Sequence, residues 1–291
     1  MKKIYQVAGH CFAVEADGNI LEKMTQYQPF EVEKAGDSGL VYSLSVVEDE
    51  PFPDVEITID TTQDDDGSQI EAGHTNDGRS YFEFLLFGRR SGRMLVSGTN
   101  EATIWLESNW QFGLNNGMMV MYALATACQK TALFHSSVVS YEGHGYMFLG
   151  KSGTGKSTHS SLWLKHIEGT ELMNDDNPVV RIHDDGSIWV YGSPWSGKTP
   201  CYRNVSMPVG AIVQLSQAPY NKIRPIKGIE AYAALVPSIS GKRWDKRQAE
   251  GLHETENLLA QHARMFHLEC LPDEAAARVC LEEVRNEKIR R

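Results

Sequence analysis

The chain has 291 residues, of which 41% are hydrophobic and 23% charged, enough to bury a sizeable core and too apolar for a disordered or fibrous chain. Its 28 Lys and Arg against 38 Asp and Glu give a formal charge of −10, and no local basic cluster offsets it. Nucleic acid and membrane surfaces are therefore disfavoured as partners. The acidity is uneven: residues 1–108 carry 8 basic and 20 acidic side chains, net −12, and the remainder is net +2.

No apolar run approaches the ~20 residues of a membrane span, and the start, MKKIYQVAGHCFAVEADGN, lacks the sustained apolar stretch of a signal peptide. The five cysteines, Cys11, Cys128, Cys201, Cys270 and Cys280, are odd in number and never in C-x-x-C spacing. Reduced structural thiols in a cytoplasmic protein are expected rather than a disulfide frame or a zinc site.

Up to about residue 108 the chain reads as short strands, YQVAGHCFAVEAD, GLVYSLSVV, VEITID, YFEFLLF, MLVSG and ATIWLE, parted by DGN, EPFPD, DDDGS, NDGRS and SGR. A small, mainly antiparallel sheet domain is expected. Asp64 to Gly67 and Asp77-Gly78 read as hairpin turns, since Asp and Gly tolerate positive φ. From Asn115 to Phe134, NNGMMVMYALATACQKTALF predicts a long helix, and the domain boundary is set at 1–112 and 113–291.

Beyond it come a strand SSVVS, a turn YEGHG, a strand YMFL, a Gly-rich loop, a helix STHSSLWLKHI stopped by Gly169, and a strand ELM: a β-loop-α-β unit. PVVRI and SIWVY flank HDDG as a hairpin, GAIVQL reads as a buried strand, and GIEAYAALV as a short helix before Pro237. The end, from about 243, predicts helix, strand MFHLEC, helix. Arg243, Lys246 and Arg247 stand near its start, where the helices are candidates to cover a site or form a homo-oligomer contact.

Residues 150–157, G-K-S-G-T-G-K-S, match G-x-x-x-x-G-K-[ST] between an apolar strand and a helix, the setting this motif requires. The glycines let successive backbone N–H groups turn inward, and the following helix presents its positive end to the same anion. Gly150, Lys151, Ser152, Gly153, Thr154, Gly155, Lys156, Ser157 and Thr158 are thus expected to cradle the phosphates of a nucleotide such as ATP. Lys156 would reach the β and γ phosphates, and the Ser157 hydroxyl would ligate Mg²⁺.

Phosphoryl transfer needs a further acidic group, and Asp175 and Asp176 follow ELM, at a distance that fits a return of the chain to the loop. One carboxylate would hold Mg²⁺ while the other orients or deprotonates a hydroxyl; which does which is open.

The run F-H-S-S-V-V, then G-Y-M-F-L-G-K-S-G-T-G-K-S, then L-M-N-D-D-N-P-V-V resembles the HPr kinase/phosphorylase catalytic core, related in turn to that of ATP-dependent phosphoenolpyruvate carboxykinases, over about residues 118–215. The resemblance implies an α/β P-loop catalytic domain of that type behind a smaller β-rich N-terminal domain. It matches His135 to the family histidine near the phosphates, Lys156 and Ser157 to the loop residues, and Asp175 and Asp176 to the metal and acid/base pair. In the family the acid/base aspartate serves both the kinase and the phosphorolysis directions.

The chain departs from the family where Glu-x-Arg-Gly-x-Gly should follow the aspartates; it has Y-G-S-P-W-S-G-K-T-P-C-Y-R-N instead. A related kinase with an acceptor other than HPr is therefore expected, and Lys198 and Arg203 of that loop are candidates to neutralise the transferring phosphate. A carboxykinase is disfavoured because residues 94–134 contain no Arg, and a transporter or motor ATPase because no L-S-G-G-Q signature occurs. The resulting expectation is ATP- and Mg²⁺-dependent transfer to a protein serine or small-molecule hydroxyl. The alternative is a nucleotide-binding regulatory module without transfer.

Overall fold

Alternation of apolar and polar residues between Gly-containing turns folds the N-terminal third into one sheet. The structure is a computed structural model that describes residues 1–48, 50–98, 100–197 and 199–289, with 287–289 described by backbone alone. The chain divides into two compact units, Met1–Thr126 and Ala127–Arg291.

Unit 1 contains β1 (Lys2–Val7), β2 (His10–Glu15), helix α1 (Gly18–Lys23), a 3₁₀ segment Thr25–Phe30, β3 (Glu31–Val32), β4 (Leu40–Val47), β5 (Ile57–Asp65), β6 (Ser68–Thr75), β7 (Ser80–Leu86), β8 (Arg89–Ser97), β9 (Glu101–Leu106) and helix α2 (Trp110–Thr126). Its sheet runs β3-β1-β2-β4-β9-β8-β7-β6-β5, with β4 parallel to both neighbours and every other pair antiparallel. Asp66-Gly67 and Gly78 take the positive φ expected of hairpin turns. SGR at 91–93 is not a turn, because the reversal occurs earlier, at Phe87-Gly88, and Ser91 is buried inside β8.

The predicted helix is displaced: it begins at Trp110 and ends at Thr126. It lies tightly on the sheet because a Cβ on Gly113 would sit 2.4 Å from the Ser91 carbonyl oxygen and one on Gly117 2.8 Å from Ile104. Tyr42 and Tyr122 bond the carbonyls of Met118 and Val7, each at 3.0 Å. The helix therefore belongs with the N-terminal sheet, and the division falls after it rather than at 112. Lys130, at positive φ, ends the connection, and Thr131–Leu133 enter unit 2 as a buried strand.

Unit 2 contains β10 (Thr131–Leu133), β11 (Ser136–Tyr141), β12 (His144–Leu149), α3 (Lys156–His166), β13 (Glu171–Asp176), β14 (Val179–Ile182), β15 (Ile188–Tyr191), β16 (Ser206–Gln217), β17 (Lys222–Ile226), α4 (Ile229–Leu235), α5 (Lys246–His262), β18 (Met265–Cys270) and α6 (Glu274–Ile289). The sheet order is β10-β14-β15-β16-β12-β11-β13, with β18 beside β16 and β17 beside β18. The sheet is mixed: β12 and β18 run parallel to β16, and β11 antiparallel to β12 and β13. The molecule is thus an α/β protein with two large mixed sheets.

The central strand β12 is covered on both faces, which is why YMFL is apolar without alternation. Met147 and Leu149 join a cluster with Val138, Ile212 and Leu259, while Tyr146 and Phe148 pack with Trp163 of α3 and Cys280 of α6 on the other side. Among the described residues no helix is long and apolar enough to cross a membrane.

Candidate functional site

The register gathers the predicted residues at one end of the second sheet. Leu149, the last residue of β12, pairs with Ser136, the first of β11. Ser136 and Ser137 in turn pair with Asp176 and Asp175 at the end of β13. The loop after β12, His135 before β11 and the aspartate pair therefore share an edge. The loop glycines have left-handed φ at 150, 153 and 155, and Gly155 leads directly into α3. A Cβ at Gly150 would press on Thr154 at 3.0 Å, so glycine is needed there for room as well as conformation.

Lys156 is buried at 9% exposure, its ammonium donating to the carbonyls of Gly150 at 3.0 Å and Lys151 at 3.4 Å. Lys151, Ser152, Gly153, Ser157 and Thr158 face solvent. Ser157 Oγ donates to Asp175 Oδ1 at 2.9 Å. His135 Nδ1 lies 3.3 Å from Asp176 Oδ1, and Asn177 Nδ2 donates to Asp176 Oδ2 at 2.8 Å. The two neighbouring carboxylates thus have different partners, a hydroxyl on the helix and a ring nitrogen across the sheet.

Asp176 has φ +130, a conformation that costs a side-chain-bearing residue about 1–3 kcal/mol and persists only where its surroundings impose it. Its surroundings do so: Asp176 forms an isolated bridge with Ser196, and the Gly197 N–H donates to the Asp175 carbonyl at 2.6 Å.

Arg203 is not in this group. Its guanidinium bonds the Leu172 carbonyl at 2.7 Å and Glu171 at 2.8 Å, at the start of β13, the far end from the aspartates. Lys198 lies outside the described residues. Arg243 ties the carbonyls of Val236 and Ile239 to Glu256, which is fully buried, so its charge is committed to packing α5.

Two features escaped the sequence reading. Buried Asn174 and Ser193 bond one another behind the aspartates; the only trace is the Asn before the pair and the Gly-Ser-Pro-Trp after β15. The second is His159 on α3, whose Nε2 accepts from Trp163 Nε1 at 3.1 Å against the edge of Phe148. Burial pulls its pKa down to about 4.

A depressed histidine pKa means the unfolded chain binds the proton first. Stability is present above the unfolded value of about 6.5 and falls, by up to ~1.4 kcal/mol per pH unit, as pH drops toward 4. Urea midpoints between pH 7 and 4.5 should show this slope, and His159→Gln, which keeps an acceptor for Trp163 but does not titrate, should flatten it.

For a cation, the available donors are oxygens: Ser157 Oγ and the Asp175 carboxylate, close enough to bond each other. No group of three or more His, Cys, Asp or Glu side chains converges among the described residues. This sparse oxygen set fits Mg²⁺, which binds through one or two protein oxygens while phosphate and water supply the rest.

No protein-family model matches the chain, and no curated protein matches it. Among solved structures it is similar to the Hpr(Ser) kinase/phosphatase from Coxiella burnetii, with 11% identity, 54% of this chain and 97% of that one covered, and a TM-score of 0.32.

Proposed function

We propose that unit 2 is an ATP- and Mg²⁺-dependent phosphotransferase acting on a hydroxyl. The observation that carries this reading is the 2.9 Å bond from Ser157 at the phosphate loop to Asp175 at the end of β13, beside the Asp176–His135 pair. A phosphate loop alone marks nucleotide binding; its junction with two differently partnered carboxylates supplies groups for transfer. The order of motifs along the sequence, which resembles that of HPr kinases, supports the same reading.

The backbone N–H groups of 150–157 and Lys156 bind the phosphates and hold the γ group in place, so catalysis is largely positioning and charge neutralisation. Ser157 and Asp175 would hold Mg²⁺, which when bound neutralises charge on the β and γ oxygens. Asp176 accepts the proton of the acceptor hydroxyl as its oxygen bonds to the γ phosphorus and the bond to the ADP oxygen breaks. His135 at Oδ1 and Asn177 at Oδ2 fix the orientation of the Asp176 carboxylate.

The test is calorimetric titration of the full chain with ATP, with and without Mg²⁺, followed by γ-labelled ATP with serine peptides and small polyols. Mg²⁺-enhanced binding and label on a hydroxyl are expected. No ATP binding in either condition overturns the reading, and tight binding without turnover on any acceptor makes the chain a nucleotide sensor instead.

A further inference from the structure

The segment 193–197 stands where the resemblance expects another carboxylate, and it offers no acid. It is built as a brace around the aspartates. Asn174 and Ser193 are both fully buried. Asn174 Nδ2 donates to Ser193 Oγ at 3.2 Å and to the Trp195 carbonyl at 3.4 Å, while its Oδ1 accepts the Asn177 N–H at 3.1 Å. Ser193 Oγ donates to the Asn177 carbonyl at 2.5 Å and accepts from the Trp195 N–H at 3.2 Å. Residues 174 and 177, which flank the pair on either side, are thus fastened to one hydroxyl.

From that anchor the chain passes along the aspartates themselves. Ser196 Oγ lies 3.1 Å from the Asp175 carbonyl oxygen, and the Gly197 N–H reaches the same oxygen at 2.6 Å. A side chain at 197 would be tight, since a Cβ there would stand 3.0 Å from Asp176 Cβ and 3.3 Å from its Cγ.

We propose that Asn174 and Ser193 are positioning residues of the transfer site, which hold Asp175 on Ser157 and Asp176 on His135; this rests on the phosphotransferase reading above. Both are too deeply buried to touch substrate, so they act through the aspartates. The positive φ of Asp176 is what they maintain: strain at a reactive residue survives only while neighbouring bonds over-determine the backbone. Precision at the reacting group comes from such supporting bonds.

The test compares Ser193→Ala, Ser193→Thr and Gly197→Ala with the parent, reading ATP affinity with and without Mg²⁺, turnover of labelled ATP, and the unfolding midpoint. For Ser193→Ala, metal-free ATP affinity should stay within about twofold while the gain from Mg²⁺ shrinks and turnover falls about a hundredfold, the scale of a ~1 Å misplacement. Ser193→Thr, which keeps the hydroxyl, should recover much of the turnover.

Parent-like Mg²⁺ gain and turnover in Ser193→Ala would overturn the proposal, as would an equal loss of metal-free affinity, which marks general collapse of the site. If Ser193→Ala does not fold, Gly197→Ala decides, because it keeps the buried Asn174 and Ser193 bonds and presses on the braced segment at Asp176 and the Asp175 carbonyl: lost turnover supports the brace and parent-like turnover removes it. A parent chain that binds no ATP removes the phosphotransferase reading and the brace with it. A parent that binds and turns over while the variants match it removes the brace alone.

Discussion

Lys156→Met is expected to weaken ATP binding by about a hundredfold or more, or ~3 kcal/mol, with little change in the unfolding midpoint. The two effects separate because the ammonium has different work in each state. In the free protein it bonds the carbonyls of Gly150 and Lys151, on a loop whose residues 151–153 face solvent. Water can replace it there, so the net cost to folding is about that of ordinary hydrogen bonds, ~1 kcal/mol. In the proposed nucleotide complex the same group would meet phosphate oxygens at the start of α3, and removing it would take away the one side-chain cation assigned to them. Lys151→Met is the control: exposed on the same loop, it should shift affinity by less than about tenfold, the scale of a screened surface charge. Calorimetric titrations of both variants check this, and near-parent binding by Lys156→Met would remove the loop from the nucleotide site.

The curl of the 150–155 loop into α3 was legible because it is written locally: the glycines take the left-handed turns and Lys156 opens the helix directly after them. The hairpins of unit 1 were legible for the same reason, since Asp66-Gly67 and Gly78 carry their turn conformation in their own residue types. The helix α3 was found from its neighbours more than from its pattern. Its inner face carries His159 and Ser160 beside Trp163, where His159 Nε2 accepts from Trp163 Nε1 and the Ser160 hydroxyl pairs with Ser137 Oγ, so the face is not the apolar stripe that a pattern search looks for.

What failed depended on contacts distant in sequence. The end of α2 and its allegiance to the first sheet are set by Gly113 against Ser91 and by tyrosines at 42 and 122, none of which local composition reveals. Arg203 was a reasonable cation by position, yet by Cys201, which bonds the Met173 carbonyl, the backbone has run back along β13, bringing Arg203 to Glu171 instead of the aspartates. The strand β17 was missed because Pro225 and three exposed positions in KIRPI hide its pairing with β18. The sequence assigned Asp175 and Asp176 two roles without their order; their register with Ser137 and Ser136 sets one beside Ser157 and the other beside His135.

That separation makes the second large effect. Asp176→Asn should lower phosphoryl transfer by about a thousandfold, within the range for loss of a positioned general base, while leaving ATP affinity within about threefold of the parent. The affinity survives because Ser157 and Asp175, with Lys156 and the loop, are untouched. The fold survives because Asn is among the residues best tolerated at positive φ, and its amide still reaches His135 and Asn177 by hydrogen bonds. The unfolding midpoint should therefore move little, which isolates the lost carboxylate from any structural damage. Asp175→Asn should behave differently, weakening the Mg²⁺-dependent part of ATP binding because its carboxylate faces Ser157. His135→Gln should cost less than Asp176→Asn, and the double variant should be no worse than Asp176→Asn alone, since a group that acts by orienting another contributes nothing once its partner is gone. Single-turnover transfer rates for the four proteins test this ordering. Full activity in Asp176→Asn, or additive losses in the double variant, would reject Asp176 as the base oriented by His135.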